Sequence, residues 1–118
     1  MAAPNIVNVV SIVGRSAAVV LSDTATDIVA NPAASGKVVR VTGLSVANTA
    51  AVAVAMTVSF VDAATAVTAA KVKALPVPVN AAISVLDKPI YLKEGDKITG
   101  FGGAALVLQA TVTYEEIS

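Results

Sequence analysis

"VTGLSVANTAAVAVAMTVSFV", residues 41–61, runs for twenty-one positions without a charged side chain. Its length matches a bilayer-spanning helix, and its alanines are good helix formers. The placement of the apolar residues argues against both helical readings. Thr42, Gly43, Ser45, Asn48, Thr49, Thr57 and Ser59 interrupt the stretch, and no large apolar side chain lies between Val46 and Val52. Hydrophobicity this dilute does not make a membrane span. In the second half, Val52, Val54, Met56, Val58 and Phe60 take the even positions, with Ala51, Ala53, Ala55, Thr57 and Ser59 between them. A strand sends successive side chains to opposite faces, so this pattern yields one bulky apolar face and one small, mildly polar face. On a helix the same residues would wrap every side and leave no solvent stripe.

The alternation returns near the C-terminus. From 105 to 115 the even positions carry Leu106, Leu108, Ala110, Val112 and Tyr114, opposite Val107, Gln109, Thr111 and Thr113. Two strands that are greasy on one side call for a layered β structure, because each such face must be covered. Shorter strand signals fill the remainder. Ile6–Val13 and Ser16–Leu21 are apolar runs separated by Gly14 and Arg15, which read as a hairpin or bend. Thr24–Val29 precedes the turn-rich "NPAASGK", where Pro32 and Gly36 break any continuous element. Lys37–Val41 restarts a strand that continues to Val46 through a bulge near Gly43, since the apolar side changes parity between Val39/Val41 and Leu44/Val46.

Val67–Leu75 alternates with Lys71 and Lys73 on one side against Val72 and Ala74 on the other, and the lysines read as a solvent face or an edge guard rather than a binding pair. Pro76 and Pro78 in "PVPVN" lack ladder donors and suit an edge or an irregular crossing. Ile83–Leu86 and Pro89–Leu92 are short apolar elements, "KEGDK" at 93–97 is a charged turn built on Gly95, and Ile98 begins the next strand. The sum is an all-β chain: one antiparallel β-sandwich domain over residues 1–118, jelly-roll or immunoglobulin-like, of eight or nine short strands.

Composition narrows the function classes. Hydrophobic residues make up 56% of the 118, and 46 of those 66 are Ala or Val, so the core is built from small, closely packed side chains. Eight basic and eight acidic residues cancel, leaving no field to draw in nucleic acid or anionic lipid. Charge this sparse on so apolar a chain points to a surface partly covered by other subunits. The opening "MAAPNIVNVV" lacks the basic segment and long apolar core of a signal peptide, which reads as a protein made in the cytoplasm.

No histidine and no cysteine occur. A Ser-His-acid arrangement, a thiol nucleophile, a disulfide framework and a cysteine-ligated metal are therefore all absent. The acids Asp23, Asp27, Asp62, Asp87, Glu94, Asp96, Glu115 and Glu116 are scattered, and Glu115 and Glu116 point oppositely if the last strand continues through them. "NPAASGKV" at 31–38 brushes the phosphate-loop pattern at Gly36 and Lys37, but Asn31 replaces its first glycine and Val38 its hydroxyl, so it reads as a turn entering a strand. A weak ion contact through Asp87, Glu94 or Asp96 would lack the ligand series of a calcium loop. Arg15, Lys37 and Arg40 have no aromatic stacking series beside them. No catalytic, cofactor-binding or metal-binding residue is assigned, and the expectation is a non-enzyme without cofactors.

"KVVRVTGLSVANTAAVAVAMTVSFVDA" at 37–63, "KALPVPVNAAISVLDKPIYLKEGDKITGFGG" at 73–103 and "LQATVTYEEIS" at 108–118 resemble small virion structural proteins of tailed bacteriophages, especially cyanobacterial phages. The resemblance covers about the last two thirds of the chain. It implies a β-sandwich subunit of the virion, made in the cytoplasm of a bacterial host, which decorates or cements the capsid. A neck, tail or baseplate component is the alternative. The implied partners are copies of itself, as a homotrimer or other cyclic homo-oligomer, and the major capsid protein or neck and tail proteins, with neither nucleic acid nor membrane. A third class is a carbohydrate-binding or host-adhesion module, for which Tyr91, Phe101 and Tyr114 are the available stacking groups.

Overall fold

The computed structural model describes residues 11–86, 88–103 and 107–118. They form β1 (Ile12–Leu21), β2 (Thr26–Ala30), β3 (Val38–Asn48), β4 (Val54–Asp62), β5 (Val67–Val77), β6 (Ala82–Ser84), β7 (Ile90–Leu92), β8 (Lys97–Gly102) and β9 (Leu108–Ile117). No helix occurs among the described residues.

One sheet runs β1-β9-β3-β6, with β7 also pairing β3, and the other runs β2-β8-β4-β5. All pairings are antiparallel. First pairs with last, second with eighth, third with the short β6 and β7, and fourth with fifth. The chain is thus a long antiparallel ribbon rolled upon itself. With β6 and β7 counted as one interrupted strand, this is an eight-stranded jelly roll. Of the two sandwich types expected, the winding decides for the jelly roll over the immunoglobulin arrangement.

The alternating residues supply the dry layer between the sheets. Val54, Met56 and Val58 of β4 and Leu108, Ala110 and Val112 of β9 line it together with Leu21, Val41, Val46, Val77, Leu92 and Ile98, all buried. Each fully buried Val, Leu or Ile contributes about 1.5–3 kcal/mol before entropy is subtracted. Close approach depends on a missing side chain in β8, where a Cβ on Gly100 would lie 2.9 Å from Ile28 Cδ1 and 3.6 Å from Leu21 Cδ1. The parity change in β3 is a bulge, with the register to β9 shifting between Val41/Tyr114 and Gly43/Thr113. Thr42, the extra residue, donates its hydroxyl to the Thr113 carbonyl at 3.0 Å.

Three expectations need correction, and two more fall outside the described residues. Val52 does not join the bulky face: it lies in the bend before β4 and is 65% exposed. Gly14 and Arg15 make no hairpin, because β1 pairs with β9 without interruption from Ile12/Ile117 to Leu21/Leu108. Ala74 does not share the side of Val72. Its φ of 52° and register shifts on the facing part of β4 break the alternation, so the inward residue further along is Val77. The proposed strand over residues 6–10 and the contribution of Leu106 lie outside the described residues.

Candidate functional site

The loops at the ends of the sandwich are held by buried polar side chains. Asn48 closes β3, and its Nδ2 donates to the Val52 carbonyl at 2.9 Å and the Val77 carbonyl at 2.8 Å, while Oδ1 accepts from the Ala50 amide at 2.8 Å. Asn31 follows β2 and donates from Nδ2 to the Lys37 and Leu92 carbonyls at 2.8 and 2.9 Å; its Oδ1 accepts from Ser35 Oγ at 2.6 Å. Asp96 precedes β8 and accepts from the Ala63 amide at 3.0 Å and the Lys93 amide at 3.1 Å. Each ties one loop to another strand end, and each leaves no buried polar atom unpaired, as a low-dielectric site requires. In the sequence Asn48 stands only as a polar interruption of an apolar stretch, Asn31 as a misfit in a phosphate-loop pattern and Asp96 as part of a charged turn with an incomplete ligand series. The available signal was an Asn or Asp at the junction of an apolar strand and a turn.

These bonds explain the two ligand-like motifs. Asn31–Val38 is a turn entering β3, with Ala34 and Gly36 at positive φ. In "KEGDK" the Gly95 φ of 91° makes the turn, both Asp96 carboxylate oxygens are engaged by amides, and Glu94 Oε2 accepts from the Gly36 amide at 3.3 Å. Asp87 lies outside the described residues. Among the described residues no three acids converge as metal ligands, and the surface carries no pocket.

A few ion pairs lie along the sheets. Glu115 meets Arg40 at 2.9 Å and Glu116 meets Arg15 at 2.7 Å, the two acids leaving β9 on opposite sides as alternation demands. The hydrogen bond from Arg15 holds the Glu116 carboxyl below the usual carboxylate range; partial burial opposes this, and the Arg15 and Lys37 charges add to it. Asp27 and Lys97 pair at 3.3 Å on the second sheet.

The three aromatic candidates do not come together. Tyr91 is opposite Arg40 on the outer face of the first sheet, Phe101 is opposite Thr57 on the outer face of the second, and Tyr114 packs half-buried against the core. No single sugar ring reaches all of them.

What the molecule offers instead is edges. Among the described residues β1 and β5 are outermost on their sheets, ten and eleven residues long. Lys71 and Lys73 lie exposed on β5, as an edge guard should, and Pro76 stands on this outermost strand, where the ladder tolerates it. β1 carries one charge, Arg15, and no proline.

Fold and surface together define a jelly-roll β-sandwich whose described residues enclose a filled core and present sheet edges and flat faces to the outside. The fold is similar to that of a solved chain from Bacillus endospore appendages, which form a novel family of disulfide-linked pili, with a TM-score of 0.51 and 19% identity over 91% of this chain and 87% of that one. Neither a protein-family model nor a curated protein matches the chain. The present sequence has no cysteine with which to form such links.

Proposed function

We propose that this chain is a non-enzymatic structural subunit that acts through contacts with copies of itself and with neighbouring proteins. Its most specific reading is a tailed-phage virion protein that decorates or stabilises the capsid. One observation carries the structural role: a jelly roll with a filled core, only sixteen charged residues, and sheet edges of ten and eleven residues at its surface. Apolar area covered on assembly is worth about 25 cal/mol per Å² removed from water, before the cost of ordering and polar desolvation. The resemblance of residues 37–63, 73–103 and 108–118 to virion proteins supports the capsid, or else the neck, tail or baseplate, as the place of assembly.

A second reading, a subunit of a surface filament, is favoured by the fold likeness to the endospore appendage chain. Copies in such a filament would be held without disulfides, since no cysteine is present. The dispersal of Tyr91, Phe101 and Tyr114 weighs against a host-glycan module. Light scattering over a range of protein concentrations tests self-association, with a homotrimer or other cyclic oligomer expected and a persistent 11.7 kDa monomer counting against it. Incubation with phage capsids lacking the protein, followed by image reconstruction, separates the readings. Density at regular capsid sites supports decoration, and ordered filaments of purified protein support the second reading.

A further inference from the structure

We infer that β1 is a self-pairing edge, which joins two copies of this chain antiparallel across a two-fold axis centred on Ser16. The inference rests on the assembly reading above and names the segment that performs it.

The hydrogen-bond phase of β1 is known from its start. Ser11 and Ser118 exchange both amide-to-carbonyl bonds at 2.9 Å, so they form a hydrogen-bonded pair. Such pairs alternate along an antiparallel ladder. With the register running unbroken to Leu21/Leu108, the odd residues of β1 turn their amides and carbonyls to β9. The even residues Ile12, Gly14, Ser16, Ala18 and Val20 turn theirs outward, to a side on which no strand lies among the described residues.

The other edges are guarded. β5 carries Lys71, Lys73 and Pro76, has Ala74 in a left-handed conformation, and shows two register shifts against β4. β2 has five residues and an irregularity between Asp27 and Val29, and β6 and β7 have three residues each. Bulges, lysines, proline and shortness are the devices that prevent edge pairing. β1 has a straight ten-residue ladder, no proline, and one charge already engaged by Glu116.

Self-complementarity selects a second copy as the occupant. A new ladder must pair outward-turned residues with outward-turned residues, so even positions face even positions. Centring it on Ser16 sets Ser16 against Ser16 of the second copy, Gly14 against Ala18, and Ile12 against Val20. Ile12 is 59% and Val20 47% exposed, and this register covers each with the other. On the opposite face Val13, 40% exposed, meets Val19, and Arg15 meets Ala17, so no like charges stand directly opposed. Sliding by two residues in either direction leaves Ile12 or Val20 without its partner. The contact is isologous and closes on itself; larger rings or lattices would use other surfaces.

The absence of native cysteine makes the register directly testable in the full chain. Opposed hydrogen-bonded residues have Cα atoms about 5.5 Å apart, within disulfide reach. Ser16→Cys should therefore oxidise to a covalent dimer about tenfold or more faster than Ala18→Cys or Gly14→Cys alone, because pairing raises the local thiol concentration. A mixture of Gly14→Cys and Ala18→Cys should cross-link as rapidly as Ser16→Cys. These substitutions sit on exposed positions of small residues, and circular dichroism checks that each variant folds. If wild-type protein associates in light scattering but Ser16→Cys cross-links no faster than Ala18→Cys, the edge inference fails and the assembly reading stands. If the wild-type chain stays monomeric and no variant cross-links preferentially, the edge inference fails together with the self-association part of the assembly reading.

Discussion

Replacing Asn48 by alanine tests the loop clamps. The side chain makes three hydrogen bonds of 2.8–2.9 Å, to the carbonyls of Val52 and Val77 and from the amide of Ala50. A net contribution of about 1 kcal/mol for each bond gives a base loss near 3 kcal/mol. The surroundings modify that figure in opposite directions. Val52 is exposed, so its carbonyl regains water, whereas Val77 is fully buried and its carbonyl is left without the amide donor. The expected cost is about 2–4 kcal/mol, a large share of the roughly 5–15 kcal/mol that stabilises a domain. It should lower Tm by about 10–20 °C in a chain of this size. Urea unfolding followed by circular dichroism reads the free energy, and hydrogen exchange should show the Ala50 amide losing protection first. A loss below about 0.5 kcal/mol with an unchanged denaturant slope would refute the clamp argument, because Asn48 would then be dispensable despite its geometry. The N48D variant sharpens the test. Its carboxylate would face two carbonyls inside the fold, which raises its folded pKa, so its deficit against wild type should grow as pH rises above about 4 and shrink in acid, where the protonated carboxyl can donate.

Two further perturbations address the backbone and the charges. Ala74 sits at φ 52°, a conformation that costs an L side chain about 1 kcal/mol and glycine almost nothing, so Ala74→Gly should leave stability unchanged or raise it by up to about 1 kcal/mol in urea melts. Ala74→Val should lower it. Glu116 has a depressed folded pKa from its Arg15 hydrogen bond, so its stabilisation is present above the ordinary carboxylate value of about 4.3 and is lost as pH falls through the folded value. In Arg15→Gln, NMR titration should show the Glu116 carboxyl returning upward, while the stability difference from wild type appears above about pH 4.5 and vanishes in stronger acid.

Much of the fold was legible along the chain. Val54, Met56 and Val58, and Leu108, Ala110 and Val112, are the inward residues that period-two alternation selected. The parity switch around Gly43 located the β3 bulge, while Lys71, Lys73 and Pro76 were compatible with an edge but left a solvent face or an irregular crossing open, and the strand order makes β5 the edge. Alternation fails where a strand ends or bends. Val52 continues the pattern but lies before the ladder begins, and Ala74 reverses it through a positive φ that its identity does not announce. Gly14 and Arg15 resembled a turn, yet a ten-residue partner in β9 keeps them extended.

The candidate surface was less legible, for a physical reason. Low charge and abundant Ala and Val, visible in composition, speak for contact with other chains. Which edge is open depends on strand order and hydrogen-bond phase, and these arise when β9 inserts between β1 and β3. Asn48, Asn31 and Asp96 are ordinary polar residues until rolling of the ribbon brings carbonyls and amides from distant loops against them.

From the sequence by itself come the β class, the faces of its principal strands, and the lack of histidine and cysteine chemistry, because side-chain alternation and residue identity are local properties. The choice of a jelly roll over an immunoglobulin-like sandwich, the separation of Tyr91 from Phe101, and the outward turn of Ile12, Gly14, Ser16, Ala18 and Val20 belong to the tertiary structure. They depend on which strands meet across the chain, and pairing between distant segments is decided only when the whole ribbon closes over its core.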